Sequence, residues 1–236
     1  MMFHSRAQIH ERTHERDHEH DDEQEHALAP LPSSLLVVTD RHRASEPLTS
    51  VLTDAARGGA RWIRVREPDL GLFEYVSLCH VLLESVSHPR VVWSVRPHAY
   101  AMLRTSYPEA RLAVHLTGRD AEWTGPRESL LIGRSVHVEP DADRIPLFAR
   151  YLLLAPVFDT VSKPDATPLG VTAIGECVRR NHQHVVALGG VMVDRVATCR
   201  DAGASAVAVC GGIMESDEPA VRVREYLDTW DSFTVR

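Results

Sequence analysis

The feature that most constrains this chain is a regular alternation of short apolar runs with longer, more polar stretches. Eight runs rich in valine, leucine, isoleucine and alanine lie at residues 35–40, 61–67, 90–94, 111–116, 130–135, 151–156, 184–190 and 205–212. Most of the stretches between them have room for a helix, and several show helical spacing of their apolar residues. Short apolar runs separated by helical connections are typical of parallel strands. Eight such units predict a single-domain (β/α)8 TIM barrel.

A doubly wound open sheet is the main alternative, since it produces the same alternation of strands and helices. Its dinucleotide-binding form carries a Gly-x-Gly-x-x-Gly motif after the first strand, and no such motif follows residues 35–40. A length of 236 residues with 44% hydrophobic content suits one barrel. The segment 117–129 is the weakest unit, because it leaves room for only a short helix.

The first 30 residues differ in composition from the rest and hold six of the fourteen histidines among many charged residues. With so little apolar surface to bury, residues 1–30 are expected to form a disordered tail, and residues 31–236 the barrel. His18, His20 and His26, with Asp21 and Asp22, could bind a metal weakly, but we favour a solvated tail.

Composition excludes several broad classes of protein. The net charge of −7 argues against a nucleic-acid partner, which would require a basic face. No apolar run has the length of a membrane span, and the N-terminus lacks the apolar core of a secretory signal. The four cysteines show no C-x-x-C spacing, which fits free thiols. A soluble, cytoplasmic protein without a membrane partner is expected, and self-association into a homo-oligomer stays open.

Two Gly-Gly pairs follow the last two apolar runs. Gly189 and Gly190 end the seventh run, and Gly211 and Gly212 end the eighth, directly after Cys210. In TIM barrels the loops after strands seven and eight commonly hold phosphate, and glycine lets backbone N–H groups approach an anion closely. One such pair alone would indicate only a tight turn. Two pairs at these positions predict a phosphate site in which Cys210 packs and does not act as a nucleophile.

Alternate residues on two of the predicted strands carry groups suited to binding or proton transfer. Arg64 and Arg66 share one face of the second strand, and Ser135 and His137 share one face of the fifth. The arginines require anions, supplied either by a structural ion-pair network that includes Glu67 or by a ligand carboxylate. His137 has an ordinary pKa near neutrality, so it could transfer a proton. For His115, inside the fourth strand, a hydrogen-bonded packing role is favoured.

From Leu35 to Met214 the chain resembles the thiamine phosphate synthase and TenI superfamily of phosphate-binding barrels. The matching segments are GGARWIRVRE, AVHLTGRD, IGRSVH, APVFDTVSKPDATPLG, VVALGG and AGASAVAVCGGI, in this order. The resemblance implies a TIM barrel that acts on a thiazole phosphate in thiamine biosynthesis. It does not by itself decide between the two branches.

The synthase branch joins an aminopyrimidine diphosphate to a thiazole phosphate and uses Mg²⁺. Its pattern implies a Gln and a Lys beside the Arg-Glu of strand two, where this chain has Arg64 and Pro68. Its Asn-Asp pair after strand three is replaced by Ser94 and Val95, so that only Asp120 remains to contact a metal. No cofactor is therefore expected, and Mg²⁺ only if the chain is a synthase.

The TenI branch includes a thiazole tautomerase, which needs no pyrophosphate site, and IGRSVH and GGIMESDEP resemble that branch. Its catalytic histidine corresponds to Pro156, while Thr160, Ser162 and Lys163 match the synthase pattern. The expected catalytic residues are Arg66, His137 and Lys163. The expected substrate-binding residues are Arg64, Ser135, Thr160, Ser162 and Gly170.

Three hypotheses follow from the sequence. The leading one is a TenI-like thiazole tautomerase, an isomerase whose small-molecule substrate is a thiazole phosphate. The alternatives are a divergent thiamine phosphate synthase, a transferase, and a non-catalytic protein that binds a phosphate ligand. A shared fold cannot choose among them.

Overall fold

The eight strands form a closed, parallel barrel in chain order, which confirms the predicted fold class. This computed structural model describes residues 29–118, 120, 123–127, 129–137, 145–162 and 164–232. The first and last strands pair in parallel through Leu35 with Val207 and Val37 with Val209, and this pairing closes the barrel. Closure leaves the sheet without edges and brings the carboxyl ends of all eight strands to one rim.

Most strands are shorter than the apolar runs that predicted them, and the fourth has the predicted bounds. The strands are β1 Leu35–Val38, β2 Trp62–Arg64, β3 Val92–Val95, β4 Arg111–Leu116, β5 Ile132–Val136, β6 Tyr151–Leu154, β7 His184–Leu188 and β8 Ala206–Val209. Strand β7 ends where Gly189 and Gly190 adopt φ values of 99° and 63°. Such positive φ values suit glycine and are incompatible with a continuing strand.

Helices cover the outside of the barrel. They are α1 Leu48–Arg57, α2 Leu72–Ser85, α3 Pro97–Ser106, α4 Thr172–Arg180, α5 Val196–Asp201, α6 Gly211–Met214 and α7 Pro219–Asp231. A 3₁₀ turn at Val193–Arg195 precedes α5. Between β4 and β5 the described residues form no helix, in agreement with the weak unit expected there.

The outer core lies between the strands and the helices. Helix α1 shows how it forms, since Val51, Leu52, Ala55 and Ala56 recur at helical spacing and are all buried. The outward residues of the strands meet these helical faces, so that both sides of each strand are buried. Strands covered on both faces have continuous apolar sequences, and this explains why β8 is Ala-Val-Ala-Val.

A second core fills the inside of the barrel. Large side chains such as Trp62 and Tyr151 alternate there with small ones such as Ala113 and Ala206. The two aromatic rings meet edge to face with their centroids 4.8 Å apart. Gly133 lies opposite the ring of Tyr151, and a Cβ at that position would overlap it. This glycine is therefore part of the interior packing.

The barrel's lower end is contacted by residues that precede the first strand. Leu31 packs against the interior core, and the carbonyl of Ala29 lies 3.1 Å from Nε2 of His184. The predicted tail lies outside the described residues, except for positions 29 and 30. Within the part of the chain that the structure describes, no helix is long and apolar enough to cross a membrane.

Candidate functional site

A column of polar side chains runs through the barrel interior toward the carboxyl ends of the strands, where TIM barrels bind ligands. Trp62 donates its indole N–H to the Ser94 hydroxyl at 3.0 Å. His115 lies between two hydroxyls, with Nδ1 2.8 Å from Tyr151 and Nε2 2.9 Å from Ser135. These bonds satisfy polar atoms that strands β2 to β6 place inside the barrel.

His115 is held in its neutral form. Burial lowers its pKa well below the ordinary value, and the positive charges of Arg64 and Arg134 lower it further. A neutral imidazole has one donor and one acceptor nitrogen, which matches its two hydroxyl partners. This is the environment that a packing histidine requires, and it also orients the Ser135 hydroxyl at the end of β5.

Arg64 is the most unusual group in this interior. Its side chain follows Trp62 on the inward face of β2 and is only 7% exposed. Among the described residues it makes no hydrogen bond and no ion pair. Burial lowers its pKa to about 10, and the neighbouring charge of Arg66 acts in the same direction. Because a guanidinium with this pKa stays protonated at neutral pH, Arg64 is a buried cation that bonds no anion among the described residues, although the charge of Asp120 acts to raise its pKa.

Glu67, the carboxylate expected to pair with this arginine, is bound elsewhere. It accepts hydrogen bonds from the Thr39 hydroxyl at 2.7 Å and from Nη1 of Arg41 at 3.0 Å. The Arg41 guanidinium also contacts Asp69. The predicted ion-pair network therefore exists, but among the described residues it includes neither Arg64 nor Arg66. Both guanidinium groups are left to attract a ligand anion.

The two Gly-Gly pairs lie on neighbouring strands, at the ends of β7 and β8, as the sequence predicts. Each glycine also has a packing partner where a Cβ would stand. A Cβ at Gly189 would stand 2.7 Å from Pro156, and one at Gly190 would overlap the carbonyl of Asp159. A Cβ at Gly212 would stand 2.5 Å from the Tyr226 hydroxyl. A Cβ at Gly211 would overlap the guanidinium of Arg43. Close packing thus explains part of the pattern, and phosphate binding there stays a prediction.

Arg43, in the loop between β1 and α1, was missed from the sequence. Its Nε donates to Glu215 at 2.7 Å, and its Nη1 donates to Ser162 at 2.6 Å. It therefore connects the loops that follow β1, β6 and β8. Burial raises the pKa of the adjacent Cys210 thiol to about 11, although the charge of Arg43 acts in the opposite direction. A protonated thiol at neutral pH fits the packing role predicted for Cys210.

The other predicted residues occupy separate parts of the same rim. His137 is exposed, and its Nδ1 lies 2.5 Å from the carbonyl of Ala155. Thr160 is half-buried in the loop after β6, and Gly170, near the end of that loop, has a φ of 74°. Lys163 lies outside the described residues. Ser135 and His137 are two residues apart, as the prediction of a shared face requires. Their partners differ, since Ser135 contacts His115 and His137 contacts the backbone of Ala155, directly after β6.

A magnesium site would need carboxylates that the described residues do not bring together. Asp120 is one, and its Oδ2 accepts hydrogen bonds from the backbone N–H and the hydroxyl of Thr117 at 2.5 and 2.7 Å. Ser94 bonds Trp62, and Val95 is 1% exposed within the outer core. No group of three potential ligands occurs among the described residues. Because Mg²⁺ prefers carboxylate oxygens, these residues do not fit it, and we derive no step through a metal.

Comparison with known proteins identifies the family. The family model described as Thiamine monophosphate synthase matches residues 35–213. The chain belongs to this family. A relative from Roseiflexus sp. (strain RS-1), named Thiamine-phosphate synthase, is 30% identical over 83% of this chain and 85% of its own length. A Putative thiamine-phosphate synthase from Geobacter sulfurreducens is 27% identical over 85% of this chain and 95% of its own.

The solved structures agree with the barrel. A thiamine phosphate pyrophosphorylase from Pyrococcus furiosus superposes with a TM-score of 0.70 at 23% identity, covering 85% of this chain and 96% of that one. At this level of identity the match supports the fold alone. The family assignment makes the chain a member of a group of thiamine-biosynthesis enzymes. The narrower prediction of the TenI branch finds no specific support among these relatives, whose names favour the transferase alternative.

Proposed function

We propose that the chain is a thiamine-phosphate synthase, a transferase that joins an aminopyrimidine diphosphate to a thiazole phosphate with release of pyrophosphate. The observation that carries this proposal is the pair Arg64 and Arg66, two guanidinium groups at one rim without a carboxylate partner among the described residues. The names of the curated relatives support the same reaction.

Two anion subsites can be assigned to the rim. The first lies at the ends of β7 and β8, where Gly190 and Gly211 would present backbone N–H groups to the thiazole's phosphate. The second lies at the end of β2, where Arg64 and Arg66 would receive the diphosphate. A preorganised cation in a site of low polarity stabilises a departing anion strongly, because little solvent screens it. The buried position of Arg64 supplies that environment.

The synthase reaction needs the departing pyrophosphate to leave with its charge compensated. Arg64 stands where the family pattern has a neutral glutamine, so this chain adds a positive charge at that point. The same chain lacks the lysine and the Asn-Asp pair of the pattern, having Pro68, Ser94 and Val95. We infer that guanidinium groups compensate the leaving group here to a greater extent than a metal does.

Thiazole tautomerase activity is the second candidate, and it is favoured because the described residues bring together no carboxylate group that would hold Mg²⁺. Its substrate carries a carboxylate, which Arg64 could bind through two parallel hydrogen bonds. His137 would then move the proton, since Pro156 stands at the position of the family's catalytic histidine. This candidate uses the same phosphate subsite and differs from the first in needing one substrate only.

Nuclear magnetic resonance separates the candidates. The purified protein is offered thiazole phosphate with aminopyrimidine diphosphate, or thiazole phosphate carboxylate alone. Phosphorus spectra detect released pyrophosphate, and proton spectra detect isomerisation of the thiazole. We expect pyrophosphate release that falls sharply in Arg64→Met and is unchanged in Arg57→Met, an exposed control on α1. Isomerisation without pyrophosphate release would transfer the assignment to the tautomerase, and binding without either reaction would indicate a non-catalytic protein.

A further inference from the structure

Arg43 has a bonding pattern that the reaction alone does not explain. The side chain is 21% exposed, and two of its three nitrogens are bonded, Nε to Glu215 and Nη1 to Ser162. The third, Nη2, has no hydrogen-bond partner among the described residues. It lies against the backbone of Gly211, at the place where any other residue would carry its Cβ. A donor is therefore held directly over the β8 end of the predicted phosphate subsite.

The Glu215 contact is of a kind that a ligand can replace. Glu215 is 54% exposed, so water already solvates its carboxylate, and ion pairs of exposed groups contribute little to stability. A phosphate brings more charge and more acceptor oxygens than a carboxylate, and it can engage the guanidinium through two nitrogens at once. Phosphate and Glu215 would therefore compete for the same cation.

We propose that Arg43 is a phosphate-binding side chain whose charge Glu215 neutralises until the ligand arrives. The ligand class is a phosphate monoester, with inorganic phosphate as its simplest form. This inference rests on the proposed function for the location of the phosphate, but it adds a residue, a competitor and a direction of effect. In the absence of ligand, Glu215 and Ser162 hold the guanidinium over Gly211. When phosphate binds, the Glu215 carboxylate turns to solvent and Nη2 gains an acceptor.

Calorimetric titration of the full chain with inorganic phosphate tests this. Arg43→Gln should weaken binding by about tenfold or more, since charge-assisted bonds are lost. Glu215→Gln should tighten binding by roughly threefold, because it removes the competitor and keeps the size of the side chain. The double variant should bind like Arg43→Gln alone, since without the guanidinium there is nothing to compete for. Asp54→Gln, which breaks the exposed pair with Arg57 on α1, should bind like the parent.

The opposite signs of the two single variants make the result independent of folding defects. A damaged barrel can weaken binding but cannot tighten it, so tighter binding by Glu215→Gln that disappears in the double variant supports the inference directly. Unchanged affinity in both single variants, with a parent that binds phosphate, would overturn the role of Arg43 and leave the proposed function intact. A parent that binds no phosphate would overturn both. Phosphate binding with the expected variant pattern but without pyrophosphate release would overturn the synthase proposal only.

Discussion

Replacing Arg64 by methionine should stabilise the protein while removing its second anion subsite. Methionine has a similar length and carries no charge. The pKa of Arg64 falls from 12.5 to about 10 on folding, mainly because of burial. That decrease corresponds to about 3 kcal/mol of preference for the neutral over the charged side chain. At neutral pH the side chain is charged in both the folded and the unfolded chain, so the folded state carries this cost throughout the physiological range.

The expected gain is about 1–3 kcal/mol in the free energy of unfolding, because methionine keeps the packing of the arginine's apolar stem and removes the buried charge. Urea unfolding at pH 7, compared at the midpoint with an unchanged slope, measures it. Arg66→Met is the matched control. Arg66 lies two residues along the same face but is only half-buried, so its replacement should change stability less.

Pyrophosphate provides the second half of the test. Saturation at a hundred times the dissociation constant stabilises a binding protein by about 2.7 kcal/mol. Pyrophosphate should therefore raise the stability of the parent and leave Arg64→Met nearly unchanged, so that the difference between the two proteins shrinks or reverses. A methionine variant that is less stable than the parent without ligand would refute the reasoning, because Arg64 would then have a compensating partner in the fold.

Three further predictions concern the interior and the metal. Gly133→Ala should destabilise the barrel by about 1–3 kcal/mol in urea unfolding, since the new methyl group would overlap the Tyr151 ring; an unchanged midpoint would contradict this packing. His115 has a lowered pKa, so its contribution to stability is full above pH 6.5 and decreases below it as the unfolded chain takes up a proton. Between pH 7 and pH 5 the parent should therefore lose more stability than His115→Gln, and parallel pH profiles of the two would refute it. Pyrophosphate release should persist in excess chelator, and its complete loss would mean that a metal does what we assign to Arg64 and Arg66.

The barrel could be predicted from the sequence because its signal is repeated eight times. Each strand is buried on both faces and therefore has a continuous apolar sequence. The alternation of apolar runs and helical segments can be recognised even where the bounds of one unit are unclear. Strand ends were predicted less well, since apolar residues such as Ala155 continue the run past Leu154, where β6 ends. Which residues of a strand share one face was predictable, because side chains alternate between the two faces in every strand.

The contacts of the site could not be predicted in the same way. Glu67 follows Arg66 in sequence, yet it binds Arg41 and Thr39, which come from the loop after the neighbouring strand. Arg43 was overlooked because it lies in a loop, and its partners Ser162 and Glu215 are 119 and 172 positions away. Pairing across such separations depends on loop conformations, which a residue pattern does not specify. The one signal in the sequence for Arg43 was its place in the basic segment TDRHR, which follows the first strand.

The glycine pairs show why a motif needs a packing test before it is tied to a function. A backbone phosphate cradle and a tight packing contact both select glycine, and Gly190 meets the second requirement at the Asp159 carbonyl. Valine at position 190 would displace the loop after β6 as well as block a ligand, so a loss of binding in that variant would not separate the two causes. Glu215 stands at the rim with much of its side chain in water, and its replacement creates no new contact inside the fold. A change in phosphate affinity caused by Glu215→Gln can therefore be attributed to the site, and its loss when Arg43→Gln is also present reports that the Arg43 cation and the phosphate meet.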